Sequence, residues 1–245
     1  MCGRFASTLP PEFLETLFAT AGEIPAVPPS WNITPGQEAR VLRRHAESGE
    51  RRIDALFWGL VPHFTKRLTG APRPINARGE TVAAAPLFRG AFARRRCLVP
   101  ADLFYEWQVL PEGRQPYAVA RADGEPLVLG GVWESWRMPD GGIHRSFAIV
   151  TTEASADIAR LHERMPLVLE PSDWPLWLGE MAGDPALLLR PAPAGTLRAW
   201  PVSNRVNNAR NNDASLATPA TSAAIDSTET APPDGPALPL FRNPL

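Results

Sequence analysis

Cys2 directly follows the initiator methionine, and that position gives a cysteine two nucleophiles at once. Removal of Met1, which proceeds readily when the next residue is small, would leave Cys2 with an α-amine and a thiol on adjacent carbons. The amine titrates at roughly 7.7–8 and the thiol at about 8.5, so both are within reach of neutral pH. The amine can condense with an aldehyde to an imine, and the thiol can then close on the imine carbon to give a thiazolidine. Alternatively, the thiol alone can attack an acyl carbon, with the amine or a neighbour as base. A buried structural thiol is the plain reading of the same residue.

Other residues could assist such chemistry. Glu106 lies in Leu103-Phe104-Tyr105-Glu106-Trp107, a carboxylate among aromatics in a strand-like run, a setting suited to general acid/base work; an outward-facing strand glutamate reads the same way. His162 is one of four histidines, and it follows a helix-like stretch. Its zinc-helix reading fails because position 166 is proline, which leaves a proton-transfer group or a hydrogen-bonded structural histidine. Asn76 offers a donor and an acceptor, and Arg78 a planar fork suited to phosphate, although Asn and Gly are also ordinary turn residues. Arg4, two residues from Cys2, would meet any anion brought to the N-terminus.

The elements that must position these groups are short. Residues 10–20 read as a helix with Phe13, Leu14, Leu17 and Phe18 on one face and Gly22 as its stop. Strands are expected over 39–44 and 52–58, then at 96–99, 103–109, 117–121, 127–133 and 143–151, the last five arranged as an antiparallel meander. Helices are expected over 88–96, over 155–161 with a cap from Thr151 or Thr152, and near Pro171 carrying Trp174 and Trp177; a last strand is expected over 200–206. The fold class is therefore α+β, mostly antiparallel sheet forming a barrel-like core with short flanking helices. Residues 1–212 read as one domain, and 213–245, rich in Ala, Pro and Thr, as a disordered tail.

Composition narrows the functional classes. A net charge of −1 excludes a global basic field, so any anion groove must be local. Two cysteines make no disulfide framework, and Cys97, in an apolar run, reads as a buried structural residue. With no apolar run of membrane-spanning length and no signal-peptide pattern, a cytoplasmic protein without membrane contact is expected. No metal or organic cofactor is called for.

In this order, Met1-Cys2-Gly3-Arg4-Phe5, Trp31-Asn32-Ile33-Thr34-Pro35, Phe57-Trp58-Gly59-Leu60, Ile75-Asn76-Ala77-Arg78-Gly79-Glu80-Thr81, Cys97-Leu98-Val99-Pro100-Ala101, Phe104-Tyr105-Glu106-Trp107, His162-Glu163-Arg164-Met165-Pro166 and Pro201-Val202-Ser203 resemble the SRAP (SOS response-associated peptidase) family. Each segment is weak alone, and the ordered set is specific. The resemblance implies binding to single-stranded DNA and covalent capture of abasic sites as a thiazolidine at Cys2. It also implies removal of Met1 by the protein itself and a lyase-type activity. It assigns catalysis to Cys2, Asn76, Glu106 and His162, and DNA contacts to Arg4, Asn32, Phe64, Arg78, Trp107 and Arg164. It further implies a monomer that associates with the nucleoid when bound to DNA.

One stretch departs from the pattern. Bacterial relatives often carry paired tryptophans where this chain has Val61-Pro62-His63-Phe64-Thr65, so Phe64 alone is left to stack. Two other readings remain at this stage. An N-terminal-nucleophile amidohydrolase also begins Met-Cys-Gly, but its expected Arg-Gly-Pro or Asn-Gly signature is missing. A non-covalent single-strand binding module would need no exposed Cys2.

Overall fold

Long strands buried on both faces, with helices laid on one side, build this molecule around a closed ring. The computed structural model describes residues 2–220. In chain order these form β1 (Phe5–Ser7), α1 (Pro11–Phe18), β2 (Ser30–Ile33), β3 (Glu38–Arg44), β4 (Arg51–Trp58), β5 (Asn76–Arg78), α2 (Gly79–Val82), α3 (Arg89–Arg94), β6 (Arg96–Ala101), β7 (Leu103–Leu110), β8 (Gly113–Arg121), β9 (Leu127–Arg137), β10 (Ile143–Glu153), β11 (Arg164–Pro166), α4 (Trp174–Leu178) and β12 (Leu197–Pro201). The fold class is the expected α+β arrangement, with a barrel.

The barrel closes through five strands. β3 pairs with β4 and β6, β6 with β9, β9 with β10, all antiparallel, and β10 returns to β4 in parallel. A second, five-stranded antiparallel sheet, in the order β12-β8-β7-β1-β2, lies against it. Barrel strands are apolar on both faces: Val41, Cys97 and Ile149 point into one cluster with Phe5 and Phe104, while neighbours Leu42, Leu98 and Val150 face the helices. Trp58 sits at the centre, edge-on to Phe5 at 5.0 Å and stacked on Phe147 at 6.4 Å, its Nε1 donating to the Ile75 carbonyl. Each such fully buried side chain contributes about 1.5–3 kcal/mol. The outer cluster is covered by α1 and α4, where Phe18 meets Trp174 and the Trp177 Nε1 donates to the Cys97 carbonyl. Among the described residues no helix is long and apolar enough to cross a membrane.

Several elements differ from expectation. The five expected strands do not form a meander: β7 and β8 leave the barrel for the second sheet, and β6 pairs with β3 and β9 instead of β7. Residues 155–161 form turns, not a helix. Both expected caps are occupied elsewhere, Thr151 by Arg164 and Thr152 by the Glu153 carbonyl, and the Ser155 N–H faces the Met165 sulfur. Helix α1 ends at Ala19 in the left-handed region, before Gly22. The last strand begins earlier than expected, at Leu197, and residues 204–207 turn as a 3₁₀ helix.

The expected tail boundary also moves. Residues 213–220 are packed: Leu216 is fully buried beside Tyr105 and Val206, and the Trp200 Nε1 donates to the Ala217 carbonyl at 2.9 Å. Leu216 supplies the apolar anchor that makes this strap fold down. The rest of the expected tail, residues 221–245, lies outside the described residues.

Barrel closure needs a bare backbone at Gly131, where a Cβ would meet the Cys97 sulfur at 3.0 Å and the Ala148 carbonyl at 3.1 Å. Gly131→Ala is therefore expected to lower unfolding free energy by about 1–3 kcal/mol. Urea denaturation checks this, and an unchanged midpoint would contradict so tight a seam.

Candidate active site and nucleic-acid interface

The site assembles because β1 is inserted beside β7. Phe5 pairs with Phe104, and the Tyr105 N–H donates to the Arg4 carbonyl at 2.9 Å, which brings Cys2 to the level of Glu106. From the barrel side, β5 pairs in parallel with β10 and carries Asn76 to the same place. The Asn76 Nδ2 donates to the Cys2 carbonyl at 2.8 Å. Its Oδ1 is buried and accepts no hydrogen bond among the described residues. Cys2, Asn76 and Glu106, far apart in sequence, thus converge.

Cys2 is fully buried, and its thiol faces the Arg4 carbonyl at 4.0 Å. Burial, with the Glu106 carboxylate adding to it, pushes the thiol up to about 12. With Met1 in place the sulfur is therefore held protonated at neutral pH. Glu106 is also buried, with Oε1 accepting from the Trp107 N–H at 3.2 Å.

His162 lies on a separate segment, next in the chain to residues of the buried cluster that holds Cys2. It ends the turn segment that follows β10, and these neighbours are Ile158 and Leu161. The Arg164 N–H donates to His162 Nδ1 at 2.9 Å, so the neutral ring carries its proton on Nε2. The ring is half-buried, leaving Nε2–H as a donor.

The expected DNA-contact residues divide into two kinds. Arg78 is exposed and donates no side-chain hydrogen bond among the described residues; it lines a cavity of about 390 Å³ with Glu153, Ala154, Ala159, Glu163 and Arg164. Phe64 is 57% exposed, on the loop after β4 that Trp136 Nε1 anchors through the Thr65 carbonyl. Trp107 is half-buried, its Nε1 donating to Asn207 Oδ1 at 2.7 Å, with the Arg4 guanidinium 5.9 Å from its ring centre. These three present surface. The other three are engaged internally.

Arg4 donates to Asn32 Oδ1 at 2.7 Å and to the Val206 carbonyl at 2.8 Å. Asn32 is only 2% exposed, and its Nδ2 lies near the carbonyls of Val206, Asn208 and Asn211. It holds the loop and has no face turned to solvent for a nucleotide. Arg164 is buried and grips both carboxylate oxygens of Glu80, while also donating to the Thr151 carbonyl at 2.8 Å. Of the residues that matter here, sequence reasoning missed Glu80 and Asn207. Glu80 pairs 84 residues away, which no local spacing reveals; the Asn-rich run 204–212 was the available signal for Asn207. Among the described residues, no three His, Cys, Asp or Glu side chains cluster as a metal site requires.

Residues 1–209 match the family model described as SOS response associated peptidase. Abasic site processing protein YoqW of Bacillus subtilis is 33% identical over 88% of this chain and 98% of its own. YedK of Escherichia coli, with the same description, is 32% identical over 89% and 100%, and HMCES of Xenopus tropicalis is 30% identical over 97% and 82%. A crystal structure of a Bordetella bronchiseptica protein superposes with a TM-score of 0.71 at 29% identity, covering 82% of this chain and all of that one. A Bacteroides thetaiotaomicron protein shares the fold, at a TM-score of 0.81 and 20% identity over 90% of this chain and all of that one.

Two outcomes follow from the geometry. In the chain that keeps Met1, alkylation of Cys2 should be at least about a hundredfold slower at pH 8 than that of an exposed thiol, and should climb without a plateau to pH 10. Mass-mapped iodoacetamide labelling reads this, and a plateau near pH 8.5 would contradict the burial. Asn32→Ala should cost about 2–3 kcal/mol, since it leaves Arg4 and several carbonyls short of partners. It should also open the 204–212 loop to protease, which limited proteolysis would register.

Proposed function

The chain belongs to the SOS response associated peptidase family, and on that premise we propose that it processes abasic sites in single-stranded DNA by capturing them covalently at Cys2. The relatives' shared description, abasic site processing protein, supports the substrate class. The observation that carries the chemistry is the convergence of Asn76 and Glu106 on a buried Cys2.

Hydrolysis of the Met1–Cys2 amide frees the α-amine, and this removal of Met1 is part of the proposal. An abasic site in its open-chain form presents an aldehyde. The amine adds to that carbon, and loss of water gives an imine. The thiol then adds to the imine carbon, its proton passing to the nitrogen, and the thiazolidine ring closes. One water leaves overall.

Each residue has a task in this sequence. Asn76 holds the Cys2 carbonyl, and its unused Oδ1 is an acceptor for the new amine. A buried, protonated thiol needs a base to close the ring, and Glu106 supplies it; the same carboxyl group, having taken a proton as the amine adds, returns it to the departing hydroxyl during imine formation. His162 donates Nε2–H to the sugar oxygen as the ring opens. Arg78 contacts phosphate, and Trp107 and Phe64 offer stacking surfaces, a mode of binding largely indifferent to base sequence.

The test uses a single-stranded oligonucleotide made abasic by uracil excision. Denaturing gels and intact mass should show Met-free protein plus oligonucleotide less one water. Cys2→Ala should abolish the adduct while leaving affinity for an oligonucleotide carrying a tetrahydrofuran abasic analogue, which has no aldehyde, within about twofold. Glu106→Gln should slow adduct formation by roughly 10²-fold. Absence of adduct from protein verified to begin at Cys2 would overturn the covalent mechanism.

A further inference from the structure

Glu80 stands outside the chemistry described above, yet it connects two of its residues. It is the second residue of the short helix α2, which follows directly on β5, the strand that carries Asn76 and Arg78. Across β10, Arg164 opens β11, two residues after His162. β10 holds both segments, Arg78 opposite Thr151 on one edge and Arg164 opposite Glu153 on the other. The Glu80 carboxylate bridges them, with Arg164 Nη2 donating to Oε2 at 2.9 Å and Nη1 to Oε1. The Arg164 side chain is 10% exposed, and the same guanidinium reaches the Thr151 carbonyl, so it is fixed at both ends. Its backbone N–H is the donor that holds the His162 ring.

We infer that Glu80 is a positioning residue for covalent capture: by clasping Arg164 it fixes the backbone that aims His162 Nε2 at the sugar. The inference rests on the proposed abasic-site chemistry and deepens it. The backbone at 163–164 is already tied to β10, the Ala154 N–H donating to the Glu163 carbonyl at 2.9 Å. The clasp therefore acts on the freedom that remains at the turn carrying His162, and its loss would loosen the ring's orientation while keeping its chemistry. An error near 1 Å at such a group can cost about 10²-fold in rate. Arg78, which has no such clasp, remains the guanidinium available to phosphate. The Arg164 guanidinium holds the Glu80 carboxyl below its ordinary range, in keeping with a clasp that stays ionised at neutral pH.

The experiment uses the full chain with Met1 removed and reads two quantities separately. Adduct formation is followed against abasic oligonucleotide concentration to give a maximal rate and a half-saturation, and affinity for the tetrahydrofuran oligonucleotide is measured by anisotropy. Glu80→Ala should lower the maximal rate about tenfold or more with tetrahydrofuran affinity changed less than about threefold. Glu80→Gln, which keeps the volume and one acceptor oxygen, should fall between it and wild type. In a His162→Ala background, Glu80→Ala should cost little further, because both substitutions disable one device.

Loss of affinity and rate together, or the same fold-loss with and without His162, would make Glu80 a structural residue only and overturn the inference. So would an unchanged maximal rate in both variants. If Glu80→Ala does not fold, Glu80→Gln alone decides, with a wild-type maximal rate counting against the clasp. Failure of wild-type protein to form any adduct would instead overturn the proposed function itself.

Discussion

β10 has hydrogen-bond partners along both edges, and the rest of the architecture follows from that. One edge takes β4 and then β5 in parallel; the other takes β9 and then β11 in antiparallel. Each edge is therefore served by two separate pieces of chain, meeting end to end beside one continuous strand. The first piece on each side closes the barrel. The second piece carries candidate site residues, Asn76 and Arg78 on β5, and Arg164 on β11, with His162 just before it. A strand buried on both faces cannot shift register without moving its whole apolar set, so residues hung from it inherit the stiffness of the core. Positioning by a core strand explains how three-residue strands can hold chemistry at all.

Against that rigid wall stands the N-terminal segment, which reaches the site through the other sheet. β1 is only three residues long, and its pairing with β7 brings Cys2 under Glu106. Burial here has a chemical consequence. With Met1 in place, burial and the nearby Glu106 carboxylate push the thiol up to about 12, which leaves the sulfur protonated and a poor nucleophile at neutral pH. On the proposed capture, such a sulfur suits an order in which nitrogen adds first, once Met1 is removed, and sulfur second, beside a carboxylate to take its proton.

The parts legible in the sequence were those with local signatures. Long strands such as β4, β9 and β10 announced themselves by apolar runs bounded by turn residues, and α1 by its periodic face. β1, β5 and β11 were not legible as strands, because three residues carry no period and their pairing depends on β10 or β7. The turn over 155–161 was misread as a helix because its composition suits one, while the contacts that occupy Thr151 and Ser155 come from residues 164 and 165. Cys2, Asn76 and Glu106 were identifiable by residue type and ordered motif. What each touches was not, and Asn32 and Arg164 show the difference: polar residues in specific motifs that the fold uses to hold other residues.

That internal use of polar groups bears on how such a chain can bind DNA at all. Many of its arginines are spent on the protein itself: Arg43 on Asp54, Arg51 on Glu180, Arg95 on Glu134, Arg121 on Asp123 and Glu170. With a net charge of −1, no long-range basic field gathers DNA, and contact with phosphate would fall to local cations such as the exposed Arg78. On the proposed capture at Cys2, a covalent bond would remove the need for a tight encounter. Contact with undamaged strands could stay weak, retention would follow only where an aldehyde meets Cys2, and selectivity for the lesion would reside in bond formation.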